Sequence, residues 1–434
     1  MPIILPEGLP ACRCLRAEGL EVMGREASDA RALRPLRIGL LNLMPTKAKT
    51  ETQIARLLAL APQTVELVLF APDGYRPKST PAAHMASFYQ PWSAVRARGL
   101  DGLIVTGAPV ERLDFAAVTY WDSLVEILDW ARAAVPQSFY ICWAAQAALH
   151  RFHGVPKHGL PAKMFGVYRH SLARGGTRLL RGLGDEIPVP VSRYTEVRAA
   201  DLPEQAGLEV LAESSEAGLC LLEERARGAV YMFNHLEYDS ETLGEEYRRD
   251  QVAGLGTALP RHYFPGDDPD RRPVNGWRGA GSLLFRNWLD GVARSAATRR
   301  GEDPALGWLF PERPALTLVG ECASEFLILG DDDPNRLPEA LRRLADLGLS
   351  PLKAQVYRHK GPGRTIVFRM ECLEEGRAER VARALGRLRG VTRVAYRNSD
   401  GKGGLFGAEP QEPGPSSAEN GVLTMIAALQ RAFA

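Results

Sequence analysis

The sequence predicts an α/β protein: a parallel sheet with helices on both faces, followed by a smaller α+β unit. Three observations carry that prediction. From Leu36 onward, short apolar runs of strand length alternate with segments of helical period. The chain has 434 residues, more than one core usually holds, so two domains are expected. Toward the C-terminus the order of the runs changes and reads βαββαβ.

Taken in order, "LRIGLLNLM" and "VELVLFAP" read as strands on either side of the helix "KTETQIARLLALAP". "LDGLIVTGAP" is a buried strand ending in a Gly-Ala-Pro turn. The helix "VTYWDSLVEILDWARA" and the strand "QSFYIC" follow it. Strands spaced by helices at this pitch pair in parallel, and such sheets gather their chemistry at the strands' carboxyl ends. A polar stretch, "FPGDDPDRRPVNGWRG", precedes the helix "SLLFRNWLDGVARSA", which closes a first domain at 1–296. Residues 297–314 read as a linker. A second domain, 315–398, runs "LTLVGECASEFLILG" (strand), "RLPEALRRLADLG" (helix), "PLKAQVYRH" and "RTIVFRMEC" (strands), "EGRAERVARALGRLRG" (helix) and "VTRVAYR" (strand). That order is the ferredoxin-like plan. Residues 399–420 read as a flexible linker, and 421–434 as a closing helix.

Composition narrows the function classes. With 45% hydrophobic residues, 24% charged residues and a net charge of +2, nothing points to nucleic acid or a membrane surface as partner. The N-terminus lacks the pattern of a signal peptide, and no apolar run approaches the roughly 20 residues of a membrane span. The six cysteines are scattered singly apart from Cys12 and Cys14, which gives neither a disulfide framework nor paired metal-ligand spacing. A cytoplasmic, reduced setting and no metal are expected.

In "SFYICWAAQAALH", Cys142 sits where an inferred strand gives way to a helix. Such a turn lifts the sulfur to the sheet's edge and aims a helix N-terminus at it, which favours thiolate and developing oxyanion alike. By itself a single cysteine there reads more simply as a buried thiol. The stretch "GAVYMFNHLEYDSETLGEEYRRD" changes the balance. His235 follows a strand directly, and Glu237 lies two positions on, on the same side of an extended chain. A carboxylate beside an imidazole fixes its tautomer and raises its basicity, as a cysteine-activating base requires.

These stretches, with "RPLRIGLLNLMPTKAKTETQ", "DGLIVTGAPVE", "HSL", "SRYTEV" and "GSLLFRNWLDGV", resemble the homoserine O-acyltransferases of the class I glutamine amidotransferase-like superfamily. The resemblance covers about two thirds of the chain, from Met1 to about Ala293. Amidotransferases usually flank the cysteine with glycines. Here Ile141 and Trp143 do so, and no glutamine hydrolysis is suggested.

The resemblance implies ping-pong transfer from an acyl-CoA co-substrate to the γ-hydroxyl of L-homoserine, with no bound cofactor. Cys142 would carry the acyl group, His235 act as base and Glu237 orient it. Lys163, Ser192 and Arg249 match positions that line the substrate site. From sequence alone, Lys163 reads as a surface lysine and Arg249 as an exposed, salt-bridged one. The backbone N–H groups of Trp143 and of Ala108, in the "TGAP" turn, are candidates for an oxyanion hole. Lys47, beyond the first strand, is a weaker candidate for the site. At the position of Glu111 the family has glycine with succinyl-CoA and glutamate with acetyl-CoA. Like-charge repulsion of a succinyl carboxylate agrees with that pattern, so acetyl-CoA is the expected donor. Succinyl-CoA, or serine as acceptor, are the alternatives, since one methylene discriminates by only about 1–3 kcal/mol. A non-catalytic amino-acid-binding regulator is a further one.

The second domain lies outside this resemblance and is similar in order to the small ACT-type domains that regulate amino-acid metabolism. A small-molecule effector site and a dimerisation or stability module are the competing readings. A homodimer is expected. His359, Cys322 and Cys372 are assigned no chemistry.

Overall fold

The computed structural model describes residues 2–299 apart from 31–33, 78 and 174–176. It also describes residues 323–407 apart from 332, 334, 348, 350, 352, 359–363, 372 and 398–402. The chain forms two units, 1–293 and 294–434.

The first unit opens with β1 (Ile3–Ile4), α1 (Pro10–Ala17), β2 (Val22–Met23) and α2 (Arg25–Ala30). Then come β3 (Leu36–Leu41), α3 (Lys47–Ala59), β4 (Val65–Ala71), α4 (Ala82–Phe88), β5 (Gln90–Pro91), α5 (Trp92–Arg98) and β6 (Gly102–Val105). Next are α6 (Trp121–Ala134), β7 (Ser138–Ile141), α7 (Trp143–His153), β8 (His158–Leu172), β9 (Glu186–Glu196), β10 (Glu209–Ser214), β11 (Gly218–Glu224) and β12 (Ala229–Met232). Helices α8 (Thr242–Val252) and α9 (Arg278–Arg299) follow.

The strands make one 12-stranded sheet in the order β2-β1-β4-β3-β6-β7-β12-β11-β10-β8-β9, with β5 paired to β4. Pairing is parallel from β2 through β12. Strands β4, β6, β7 and β12 are buried at every position, as expected where both faces of a parallel sheet are covered. Beyond β12 the pairing turns antiparallel through β11, β10, β8 and β9. The expected all-parallel sheet is therefore corrected to a mixed one. Only residues 225–228 join β11 to β12, whereas a parallel crossover takes a dozen residues or more, so that pair has to run antiparallel.

The core behind the strand ends is aliphatic and aromatic. Leu124, Ile127, Leu128 and Ala131 form the buried stripe of α6 at helical spacing. Tyr140 and Tyr231 stack at 5.4 Å directly across the β7–β12 pair. No helix among the described residues is long and apolar enough to cross a membrane.

The second unit contains β13 (Ala323–Gly330), α10 (Arg336–Asp346), β14 (Lys353–Arg358), β15 (Arg364–Glu371), α11 (Glu375–Gly386), β16 (Val391–Arg397) and β17 (Gly403–Gly407). They form an antiparallel sheet in the order β14-β15-β13-β16-β17. Alternate residues Phe326, Ile328, Ile366, Phe368 and Val394 pack with Ala340, Leu344, Val381 and Leu385 of the two helices. β17 corrects the reading of 399–420 as linker: Leu405 and Phe406 supply apolar side chains that composition had obscured among glycines. The expected helix 421–434, Cys322, His359 and Cys372 lie outside the described residues.

Gly166 shows how closely the antiparallel half is fitted. It has φ +148°, and a Cβ there would come within 2.3 Å of the Arg261 carbonyl oxygen. Backbone cannot yield as a side chain tip does, so Gly166→Ala is expected to destabilise the protein by about 3 kcal/mol or more. Gly154 also has positive φ but stands in open space, and its alanine variant is expected to cost only about 1 kcal/mol. Urea midpoints of the two variants check the contrast.

Candidate active site

Strands β7 and β12 run side by side with Ile141 opposite Met232, so both end at one level. Cys142 follows β7 with φ 56° and ψ −120°, a conformation that non-glycine residues adopt only under strain. Its N–H donates to the Met232 carbonyl at 2.6 Å, and its carbonyl accepts from Ala145 and Gln146 at 3.0 and 3.4 Å. The N–H groups of Trp143 and Ala144 open α7 directly after Cys142. Gly107, in the turn after β6, lies close by: a Cβ there would stand 3.0 Å from Cys142 Cβ. Ala108, next in that turn, is buried.

His235 Nδ1 lies 2.6 Å from Glu237 Oε1, and both residues are buried. The two meet through a turn at residues 236–237, not through the extended chain expected from their spacing. Burial works against a charged imidazole here. The Glu237 carboxylate and the Cys142 side chain, its hydrogen-bonding partner, outweigh burial and hold the His235 pKa well above its ordinary value. The Tyr238 ring stacks on His235 at 4.1 Å and 16°.

The predicted substrate residues converge on two acids that sequence reasoning passed over. Lys163 Nζ donates to Asp250 at 2.9 Å and to Glu246 at 3.4 Å. Ser192 Oγ donates to Glu246 at 2.5 Å, and Tyr238 donates to its other oxygen at 2.8 Å. Arg249 bonds Asp250 at 2.7 and 3.0 Å while its side chain remains 65% exposed. Glu246, Arg249 and Asp250 are spaced i, i+3 and i+4 on α8, a signal that was present in "EEYRRD".

Glu111 accepts from the Tyr194 N–H and lies within electrostatic reach of His235, Lys163 and Arg193. Burial pushes its carboxyl above the usual range against those contacts. Lys157 fastens the loop by donating to the carbonyls of Glu111 and Leu113. Lys47, the weaker candidate, bonds to the loop that follows β3. It is buried, donates to the carbonyls of Asn42 and Met44, and burial lowers its pKa to about 8. Asn42, one of its partners, accepts from the Thr106 hydroxyl at 3.4 Å.

Two further buried groups were not foreseen. Arg193 is 2% exposed and donates to the carbonyls of Thr195 and Ala217, with no carboxylate at ion-pair distance among the described residues. Cys142 is the foremost of the charges that favour its guanidinium against burial. His170 is fully buried, its Nδ1 bonded to the Tyr168 carbonyl at 3.0 Å and its Nε2 to Asn234 Nδ2 at 3.2 Å. The carbonyl requires Nδ1–H, so Nε2 accepts and holds Asn234, the residue before His235.

A cysteine, a histidine and a carboxylate gathered at the strand ends of an α/β sheet define the class of this site. The chain belongs to the homoserine O-succinyltransferase family, whose model matches residues 2–298. A homoserine O-acetyltransferase of Rhizorhabdus wittichii is 52% identical over 310 residues, covering 70% of this chain and 96% of that protein. Those of Novosphingobium aromaticivorans and Sinorhizobium fredii are 52% and 50% identical over 290 residues, 67% of this chain and 95% and 94% of theirs. A glutamine amidotransferase structure from Thermotoga maritima overlaps at a TM-score of 0.41 and 12% identity, covering 60% of this chain and 99% of that one.

His170 gives this site a pH dependence of stability. Burial lowers its pKa from 6.5 to about 4, so between those values the unfolded chain binds more protons. Stability is full above pH 6.5 and falls as the pH drops toward 4, by about 3 kcal/mol for this group. Denaturation midpoints at pH 7 and 4.5 are expected to show that loss in the parent protein and a smaller one in His170→Gln.

Proposed function

We propose that this chain transfers an acetyl group from acetyl-CoA to the γ-hydroxyl of L-homoserine through a Cys142 acyl-enzyme. The observation that carries the reading is the shared environment of Cys142, His235 and Glu111: a strained thiol, its base and a desolvated carboxylate at one site. The homoserine O-acetyltransferase names of the relatives agree with it.

The environment of His235 favours its protonated form, and the Cys142 sulfur is the nucleophile beside it. The sulfur attacks the thioester carbonyl, and the oxyanion forms beside the N–H groups of Trp143 and Ala108. CoA leaves as thiolate and takes the His235 proton. Acylation neutralises the sulfur that had supported the imidazolium, so the ring becomes a base. It then accepts the homoserine hydroxyl proton as that oxygen attacks the thioester carbon. Cys142 departs as thiolate, leaving the proton on His235.

Homoserine brings one ammonium and one carboxylate. Glu246 and Asp250 are matched to the first, Lys163 and Arg249 to the second, and Ser192 fixes Glu246. Glu111 disfavours a succinyl carboxylate in a partly desolvated pocket.

The second unit has the strand and helix order of a ferredoxin-like domain, with β17 added at one edge. We read it as an ACT-like effector module for a small molecule. We also propose a homodimeric, cytoplasmic enzyme that needs no bound cofactor.

Free-CoA release with homoserine tests the reading. Acetyl-CoA is expected to be the preferred donor, with turnover abolished in Cys142→Ala. Glu111→Gly is expected to raise use of succinyl-CoA relative to acetyl-CoA at least about tenfold, about 1.4 kcal/mol. A parent protein that prefers succinyl-CoA would overturn the donor assignment.

A further inference from the structure

Tyr238 is the side chain that touches both halves of the site. Its ring lies flat on the His235 imidazole at 4.1 Å and 16°, while Glu237 holds the ring through Nδ1. Its hydroxyl donates to Glu246 Oε1 at 2.8 Å, while the other Glu246 oxygen takes Ser192 and Lys163. Its backbone is pinned as well: the Trp277 indole N–H donates to the Tyr238 carbonyl at 2.7 Å. The residue is 5% exposed, so it has no freedom to pivot independently of these partners.

Once Cys142 carries the acyl group, an imidazole held through Nδ1 alone can still rock about that bond, and a stacked ring removes the motion. A phenol bonded to a carboxylate follows the carboxylate. We infer that Tyr238 is a positioning residue coupling occupancy of the amino-acid pocket to the alignment of His235, which makes the acyl-enzyme react with the amino acid in preference to water. This rests on the acyl-transfer reading above and deepens it. When an ammonium group pairs with Glu246, the carboxylate is fixed. Tyr238 is fixed with it, and His235 Nε2 is directed at the incoming hydroxyl. With the pocket empty, Glu246 shares its charge among Tyr238, Ser192 and Lys163, and the base is left less constrained for a water molecule.

The hydroxyl and the ring have separable roles. Tyr238→Phe keeps the stack and cuts the link to Glu246. Tyr238→Leu removes the stack too.

The test follows acetyl-CoA consumption by the full-length protein in two stages. First, rapid mixing without homoserine measures the burst of free CoA, and intact mass measures acetylation of Cys142. Second, homoserine is added, and O-acetylhomoserine is counted against free acetate. Tyr238→Phe is expected to raise the homoserine KM and to increase acetate relative to ester about fivefold or more, a larger effect than on the burst. Tyr238→Leu is expected to slow the burst itself and shift its pH profile. A merely structural tyrosine would lower all rates together and leave the partition unchanged. An unchanged acetate-to-ester ratio in Tyr238→Phe, with a normal burst, overturns the coupling while leaving the acyl-enzyme standing. A parent protein with no burst and no acetylated Cys142 overturns the acyl-transfer reading instead.

Discussion

The site depends on the parallel pairing of β7 with β12. Ile141 opposite Met232 fixes where both strands stop, and the Cys142 N–H is bonded across to the Met232 carbonyl. From that shared end one chain turns directly into α7 and the other into the loop carrying His235, Glu237 and Tyr238. A slip of one residue would send every side chain of β12 to the opposite face and separate thiol from imidazole. The stacked Tyr140 and Tyr231 and the uninterrupted burial of both strands oppose such a slip. The antiparallel strands add a second wall. β8 brings Lys163, and β9 brings Ser192 and Tyr194 on one face and Arg193 and Thr195 on the other.

Electrostatically, the site is a set of charges that compensate one another at short range. Lys163 is shared between two acids, and Asp250 between two bases. Arg193 stands apart, since a buried guanidinium bonded only to carbonyls is costly unless negative charge is near. The groups whose charge would favour it against burial are Cys142, Glu196, Cys220 and Glu111, in that order. Glu237 and Cys142 together favour the protonated His235 ring against its burial.

Much of this was readable from the sequence. Long apolar runs and helical periodicity located β3, β4, β6, β7 and the helices α3 and α6, but not α4 and α5, because parallel strands buried on both faces leave a clear signal. Cys142 and His235 were legible because each follows such a run. The antiparallel half was not, since β8 is partly exposed and interrupted by a register shift, and its strands carry the mixed polarity of a pocket wall. Glu246 and Asp250 were hidden in "GEEYRRD", where charge suggests a solvated helix face until the fold turns that face toward Ser192 and Lys163. Lys47, whose place after a strand suggested chemistry, is buried and bonded to carbonyls of its own loop.

The left-handed backbone of Cys142 has a consequence for how this protein can change. A side chain at φ 56° stores roughly 1–3 kcal/mol that glycine would release. The chain would then gain robustness by discarding its thiol. Durability and turnover pull in opposite directions at this one position, and any screen that rewards only heat resistance would select for an inert protein there.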